Sequence, residues 1–162
     1  HGDGFLDLVY IVTVSQKRAL SVLRGDGKGS FVATPITTAG TAFVGDAVGF
    51  AKLDAGPVTK VGVITKSQLW TVELGKDGRM KVSDASNVLG KNGAELTAIV
   101  SGDINGDGFD DVITGAVDAS TGYSSNANAY VVFGKASGFN AVVQLGNMDV
   151  NTGIRLDNAA SG

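Results

Sequence analysis

The apolar residues of this chain fall into short runs separated by Gly, Asp, Asn and Ser, as in Leu6-Asp7-Leu8-Val9, Leu20-Ser21-Val22-Leu23, Val61-Gly62-Val63-Ile64, Val112-Ile113 and Tyr130-Val131-Val132-Phe133. Runs this short, bounded by turn residues, predict β-strands. Two markers recur along the chain in a fixed order. The first is an Asp-rich loop, Asp103-Ile104-Asn105-Gly106-Asp107-Gly108-Phe109-Asp110-Asp111. Its second half is repeated at Gly2-Asp3-Gly4-Phe5-Leu6-Asp7, and a degenerate copy runs Lys52-Leu53-Asp54-Ala55-Gly56-Pro57-Val58-Thr59-Lys60. The ninth loop positions, Asp7, Lys60 and Asp111, lie 53 and 51 residues apart. The second marker is a strand closed by a Gly-rich turn and followed by a large apolar residue. It occurs at Leu20 to Phe31, Leu69 to Met80 and Tyr130 to Phe139.

Each unit of about 50 residues reads as four short strands, which point to β-propeller blades. In the third unit they are expected at 96–102, 112–114, 129–133 and 139–145. The predicted fold class is therefore all-β: about three four-stranded antiparallel repeats of a partial propeller. The chain reads as a single segment, 1–162, divided into repeat 1 (about 1–42, truncated at its N-terminus), repeat 2 (about 43–94) and repeat 3 (about 95–150). Residues 151–162 are expected to lead into a further repeat. Repeat 3 carries extra polar residues, Asp118 to Asn128, which read as an exposed loop. A β-sandwich is the alternative, but it does not need loop and turn markers in the same order at near-constant spacing. Propellers close with about four to eight blades, so three would leave faces to be covered by the rest of a propeller or by self-association.

Composition agrees with turns. There are 24 Gly and 2 Pro, and of the 16 acidic residues only Glu73 and Glu95 are Glu. Asp bonds its own backbone and weakens helices, whereas Glu favours them. The chain lacks Cys, which removes disulfides, thiolate metal sites and thiol nucleophiles, and its one His is His1. No apolar run approaches the ~20 residues of a membrane-spanning helix. The net charge of -3 is uneven: residues 95–162 hold 2 basic residues against 8 acids. No basic face suggests nucleic acid. The chain starts without Met inside a loop motif, and is read as part of something larger.

The Asp loop carries the chemistry. Asp103, Asn105 and Asp107 stand at alternate positions, Gly108 allows a sharp bend, and Asp111 returns a fourth side-chain oxygen. With the Phe109 carbonyl and water these make an oxygen shell for Ca²⁺, which takes about six to eight such ligands. Carboxylates so crowded repel one another, so the loop without a cation is expected to be strained or disordered. An EF-hand would need Glu at the twelfth position, where Thr114 stands, and helical flanks. The N-terminal copy retains only a half-site, Asp3 and Asp7, with His1 at the third position. In the middle copy the first and ninth positions are Lys52 and Lys60, leaving Asp54, and a lysine ammonium is expected to replace the ion.

On these residues the chain resembles the FG-GAP repeat family of integrin alpha-chain propellers and bacterial cell-surface proteins. Phe133-Gly134 matches the family's Phe-Gly, Gly115-Ala116 its Gly-Ala, and Asp103 to Asp111 its calcium loop. Val117 stands where the family usually has Pro. The resemblance implies a calcium-stabilised, extracellular or cell-surface module that binds a protein or glycan ligand, without inserting into membrane or binding nucleic acid.

The expected function is thus a non-catalytic adhesion or ligand-binding module. Accessory blades of a secreted enzyme acting on polysaccharide or phosphoester, and a purely structural scaffold, are the alternatives; a catalytic triad built on His1 has no support. Arg24-Gly25-Asp26 sits in a Gly turn and reads as hairpin chemistry. Trp70, Phe31, Phe43, Tyr130, Phe133 and Phe139 are expected in strand cores. Tyr123, in the polar loop, is the candidate aromatic for ligand contact.

Overall fold

The computed structural model describes residues 5–14, 16–33, 46–53, 60–74, 80–89, 93–117 and 128–156. These form three sheets. The first holds β1 (Leu8–Val14), β2 (Lys17–Gly25) and β3 (Phe31–Ala33) in that order. The second is built from β4 (Gly49–Leu53), β5 (Lys60–Ile64), β6 (Gln68–Leu74) and β7 (Met80–Leu89), each antiparallel to the next. The third runs from β8 (Glu95–Gly102) through β9 (Asp111–Val117) and β10 (Asn128–Val132) to β12 (Gly153–Leu156). Between β10 and β12 the chain makes β11 (Val142–Gln144) and a single 3-10 turn, Leu145–Asn147. The protein is all-β, and its sheets are meanders of the propeller-blade type.

Local chemistry explains the meanders. Most runs are rich in β-branched residues, and several end against Gly or Asp, as β4 before Asp54, β6 before Gly75 and β8 before Asp103. β8 and β9 pair from Gly102 opposite Asp111 to Glu95 opposite Val117, so the Asp loop is the connection between two neighbouring strands. The β1–β2 hairpin has Val14 opposite Lys17, and Gln16 takes a φ of 67° in its two-residue turn. Left-handed backbone there suits the twist of such a hairpin.

The sheets stack through two cores. Leu20, Ala47, Val61, Val63 and Val72 are buried between the first and second sheets, with Val9, Ile11 and Trp70 packed around them. Leu53, Ile64, Leu69 and Val88 of the second sheet meet Leu96, Ile99, Val112, Tyr130 and Val132 of the third. Small residues set the approach: a Cβ at Gly49 would come within 3.1 Å of Ile99, and one at Gly62 within 3.4 Å. Ile99 therefore seats over two positions where the second sheet has no side chain.

Two expectations are corrected here. The run 139–145 does not form the fourth strand of the third sheet. Only Val142–Gln144 is strand, and it pairs in parallel with Asn87–Leu89 of β7, extending the second sheet. The fourth strand is Gly153–Leu156, antiparallel to β10, where a lead-in to another repeat was expected. The physical reason is that β7 leaves an unpaired edge beside the third sheet, and a strand takes whatever edge its connection can reach. Phe31 is also not a core residue, being 40% exposed, whereas Tyr130 and Phe139 are buried and Phe133 is half-buried. Phe43 lies outside the described residues.

Candidate functional site

The loop between β8 and β9 folds around its own acids. Asp103 Oδ1 accepts the N–H groups of Gly106 at 2.7 Å and Asp107 at 3.1 Å, and its Oδ2 accepts that of Gly108 at 3.0 Å. Asn105 Oδ1 accepts the Asp107 N–H at 2.9 Å, and Asn105 Nδ2 donates to Asp107 Oδ2 at 3.0 Å. Asp107 Oδ1 accepts the Phe109 N–H at 2.9 Å. Gly106 and Gly108 make these bonds possible by adopting φ of 77° and 87°, where a side chain would be strained. Residues 103–108 are exposed, while Phe109 and Asp110 are half-buried.

Asp111 differs from the other acids. It is fully buried. Its Oδ2 accepts the N–H of Ile104 at 2.9 Å, and its Oδ1 accepts that of Gly134 at 2.9 Å across the sheet. A Cβ at Gly134 would overlap the Asp110 carbonyl oxygen, so only glycine brings its N–H this close. The same pair exists in the first sheet. Asp7 Oδ1 accepts the Gly25 N–H at 3.1 Å, and a Cβ at Gly25 would overlap the Leu6 carbonyl oxygen. Asp7 and Asp111 occupy the ninth loop position, and Gly25 and Gly134 occupy the turn that closes the next strand but one. Sequence spacing marked the four residues without showing that they pair.

The acids were expected to need a cation to relieve their repulsion. The structure shows backbone N–H groups aimed at Asp103, Asp107 and Asp111, a nest of partial positive charge that supplies part of that relief. Among the described residues no group of three or more His, Cys, Asp or Glu stands together as a metal-binding cluster. The donor chemistry nevertheless fits a hard cation. Asp103, Asn105, Asp107, the Phe109 carbonyl and Asp111 can each offer an oxygen; Asp103 Oδ1 already accepts two N–H groups, whereas Asp103 Oδ2, Asn105 Oδ1 and both oxygens of Asp107 and of Asp111 accept one each and keep a further lone pair.

His1, Asp3, Asp54 and Tyr123 lie outside the described residues. Lys60 Nζ stands 3.8 Å from Glu73 Oε1 on the paired strand. The Lys52 side chain is exposed, and its carbonyl accepts the Ser101 hydroxyl. Asp26 of the Arg24-Gly25-Asp26 turn accepts the N–H groups of Lys28 at 2.7 Å and Ser30 at 3.0 Å, which hold its carboxyl below the ordinary aspartate range. That carboxylate is therefore engaged in shaping its own turn.

Residues 96–132 match the family described as FG-GAP repeat. The matched stretch runs from β8 to the end of β10 and includes the whole Asp loop. No curated protein and no solved structure matches the chain.

Proposed function

With residues 96–132 an FG-GAP repeat, a type of propeller module generally involved in ligand binding, we propose that this chain is a calcium-stabilised, non-catalytic module for adhesion or ligand binding at the cell surface or outside the cell. The observation that carries the reading is the loop of residues 103–111, an all-oxygen donor set placed at a strand-to-strand connection with its last acid buried. Asp103, Asn105, Asp107, Phe109 through its carbonyl, and Asp111 would hold the ion. When bound, it neutralises the clustered carboxylates and stiffens the blade. The half-site at Asp3 and Asp7 has fewer acids and serves mainly through the Asp7 bond to Gly25.

The partner is a protein or glycan on a cell surface, met through loops, as the resemblance implies. A second contact is structural. Val100 stands opposite Ile113, Ile113 opposite Val131, and Val131 opposite Ile154, giving an apolar row across all four strands of the third sheet. Val100 is 57% exposed and Ile154 43%. The exposed ends of this row, on either side of the buried Val131, suit a further sheet, from the rest of a propeller or from a second copy.

Calorimetric titration of the chain with CaCl₂ tests the reading. One binding event is expected, together with a rise in melting temperature; at a hundredfold excess over Kd, linkage adds about 2.7 kcal/mol. Asp103→Asn combined with Asp107→Asn should remove both. No heat and no stabilisation would overturn the proposal.

A further inference from the structure

The Asp111–Gly134 bond lies at the root of a segment with an unexpected route. After Gly134 the chain turns, with the Gly138 N–H donating to the Lys135 carbonyl at 2.9 Å, and leaves the third sheet. It then lays Val142–Gln144 along β7 of the second sheet, where the Asn87 N–H donates to the Ala141 carbonyl at 2.9 Å. Phe139, Val143 and Leu145 are buried in the core that the two sheets share. Residues 134–145 thus form a strap that ties the second sheet to the third. One oxygen of Asp111 holds the root of this strap, and the other holds Ile104, the second residue of the Asp loop.

We propose that Asp111, besides its place in the ion's donor set, joins the Asp loop to the strap, so that cation binding in the loop and docking of β11 on β7 strengthen one another. The inference rests on the reading that the loop binds calcium. Two observations set Asp111 apart from the exposed members of the donor set. It is fully buried, whereas Asp103, Asn105 and Asp107 are exposed. Its pairing with a turn glycine also recurs as Asp7–Gly25 beside the first sheet, where sequence leaves only a half-site. The loop and the strap share this carboxylate, so displacing either Ile104 or Gly134 displaces the acceptor of the other. Binding linkage makes the effect reciprocal: a strap loosened on β7 weakens the ion by the same factor that the ion tightens the strap.

The test measures calcium affinity by titration calorimetry and hydrogen exchange of the Asn87 amide, both on the whole chain. Calcium should slow Asn87 exchange, and Gly134→Ala and Val143→Ala should each weaken calcium binding, by about tenfold in every case. Val143 is not one of the proposed ligands and lies on the strap, paired with β7 and buried in the shared core. Leu20→Ala, which opens the other core, should leave calcium affinity within about twofold while lowering stability. If the unaltered chain binds calcium but Asn87 exchange does not change, or Val143→Ala binds as tightly as the parent, the coupling is wrong while the calcium reading survives. Absence of calcium binding by the unaltered chain overturns both. Should Gly134→Ala fail to fold, the Asn87 and Val143→Ala measurements decide the matter.

Discussion

Asp111 and Gly134 stand 23 positions apart in the chain and are joined by one buried hydrogen bond of 2.9 Å. Gly134 is glycine because a Cβ there would overlap the carbonyl oxygen of Asp110, the residue before its partner. Asp7, Gly25 and Leu6 reproduce this arrangement beside the first sheet. The pair is thus a repeated clasp between the end of the Asp loop and the turn that closes the blade's next hairpin.

Removing the clasp's free space should cost stability. Gly134→Ala and Gly25→Ala each force backbone apart, with an expected loss of about 1–3 kcal/mol in urea unfolding. Gly102→Ala is the control, since nothing lies within 4 Å of a Cβ there. It should stay within about 0.5 kcal/mol of the parent.

Removing the carboxylate should cost more than removing an exposed one. Asp111→Ala leaves two backbone donors without their acceptor in a buried setting, at about 2–4 kcal/mol. Asp107→Ala, at an exposed position, is expected to cost about 1 kcal/mol or less in calcium-free buffer. Equal losses in chemical denaturation would contradict the burial difference on which the clasp rests.

The seam between the second and third sheets depends on Ile99. Its truncation to Ala opens a cavity over Gly49 and Gly62 and should cost about 2–5 kcal/mol. The neighbouring Val100 faces the other way and is 57% exposed, so Val100→Ala should change stability by about 0.5 kcal/mol at most. Thermal melts of the two variants should separate by several degrees.

Asp26 gives a pH prediction. Backbone N–H groups of Lys28 and then Ser30 lower its carboxyl below the ordinary aspartate value in the folded chain. A lowered folded-state value means that the unfolded chain takes up the proton first. The contribution of the turn is therefore present above the ordinary aspartate value and is lost as pH falls through the lower folded value. The carboxyl resonance of Asp26 followed by NMR should titrate below that of the denatured chain. Asp149 should do the same, because the Thr152 hydroxyl and then the Asn151 N–H stabilise its charged form.

Much of this protein is local and was legible in the sequence. The strands from β8 to β10 and the loop between the first two follow from short apolar runs closed by Asp and Gly, whose preferences act within a few residues. Predicted boundaries of 96–102 and 129–133 meet observed strands of Glu95–Gly102 and Asn128–Val132. The turns of the loop were equally plain, because Asp103, Asn105 and Asp107 organise backbone within five residues of themselves.

What the sequence by itself determined was therefore turn chemistry, strand identity and the family of residues 96–132. The tertiary structure decided which edges those strands occupy and which polar groups are buried. Val142–Gln144 looks like any other short strand, and only the open edge of β7 beside it explains a parallel pairing outside its own sheet. Asp111 reads as one more acid in a row. Its role as a buried acceptor comes from Gly134, which the chain returns to its side only after another strand has crossed the sheet. Hydrogen-bond preference is written in a residue and its near neighbours, whereas burial and partner choice depend on segments that meet only when the sheets stack.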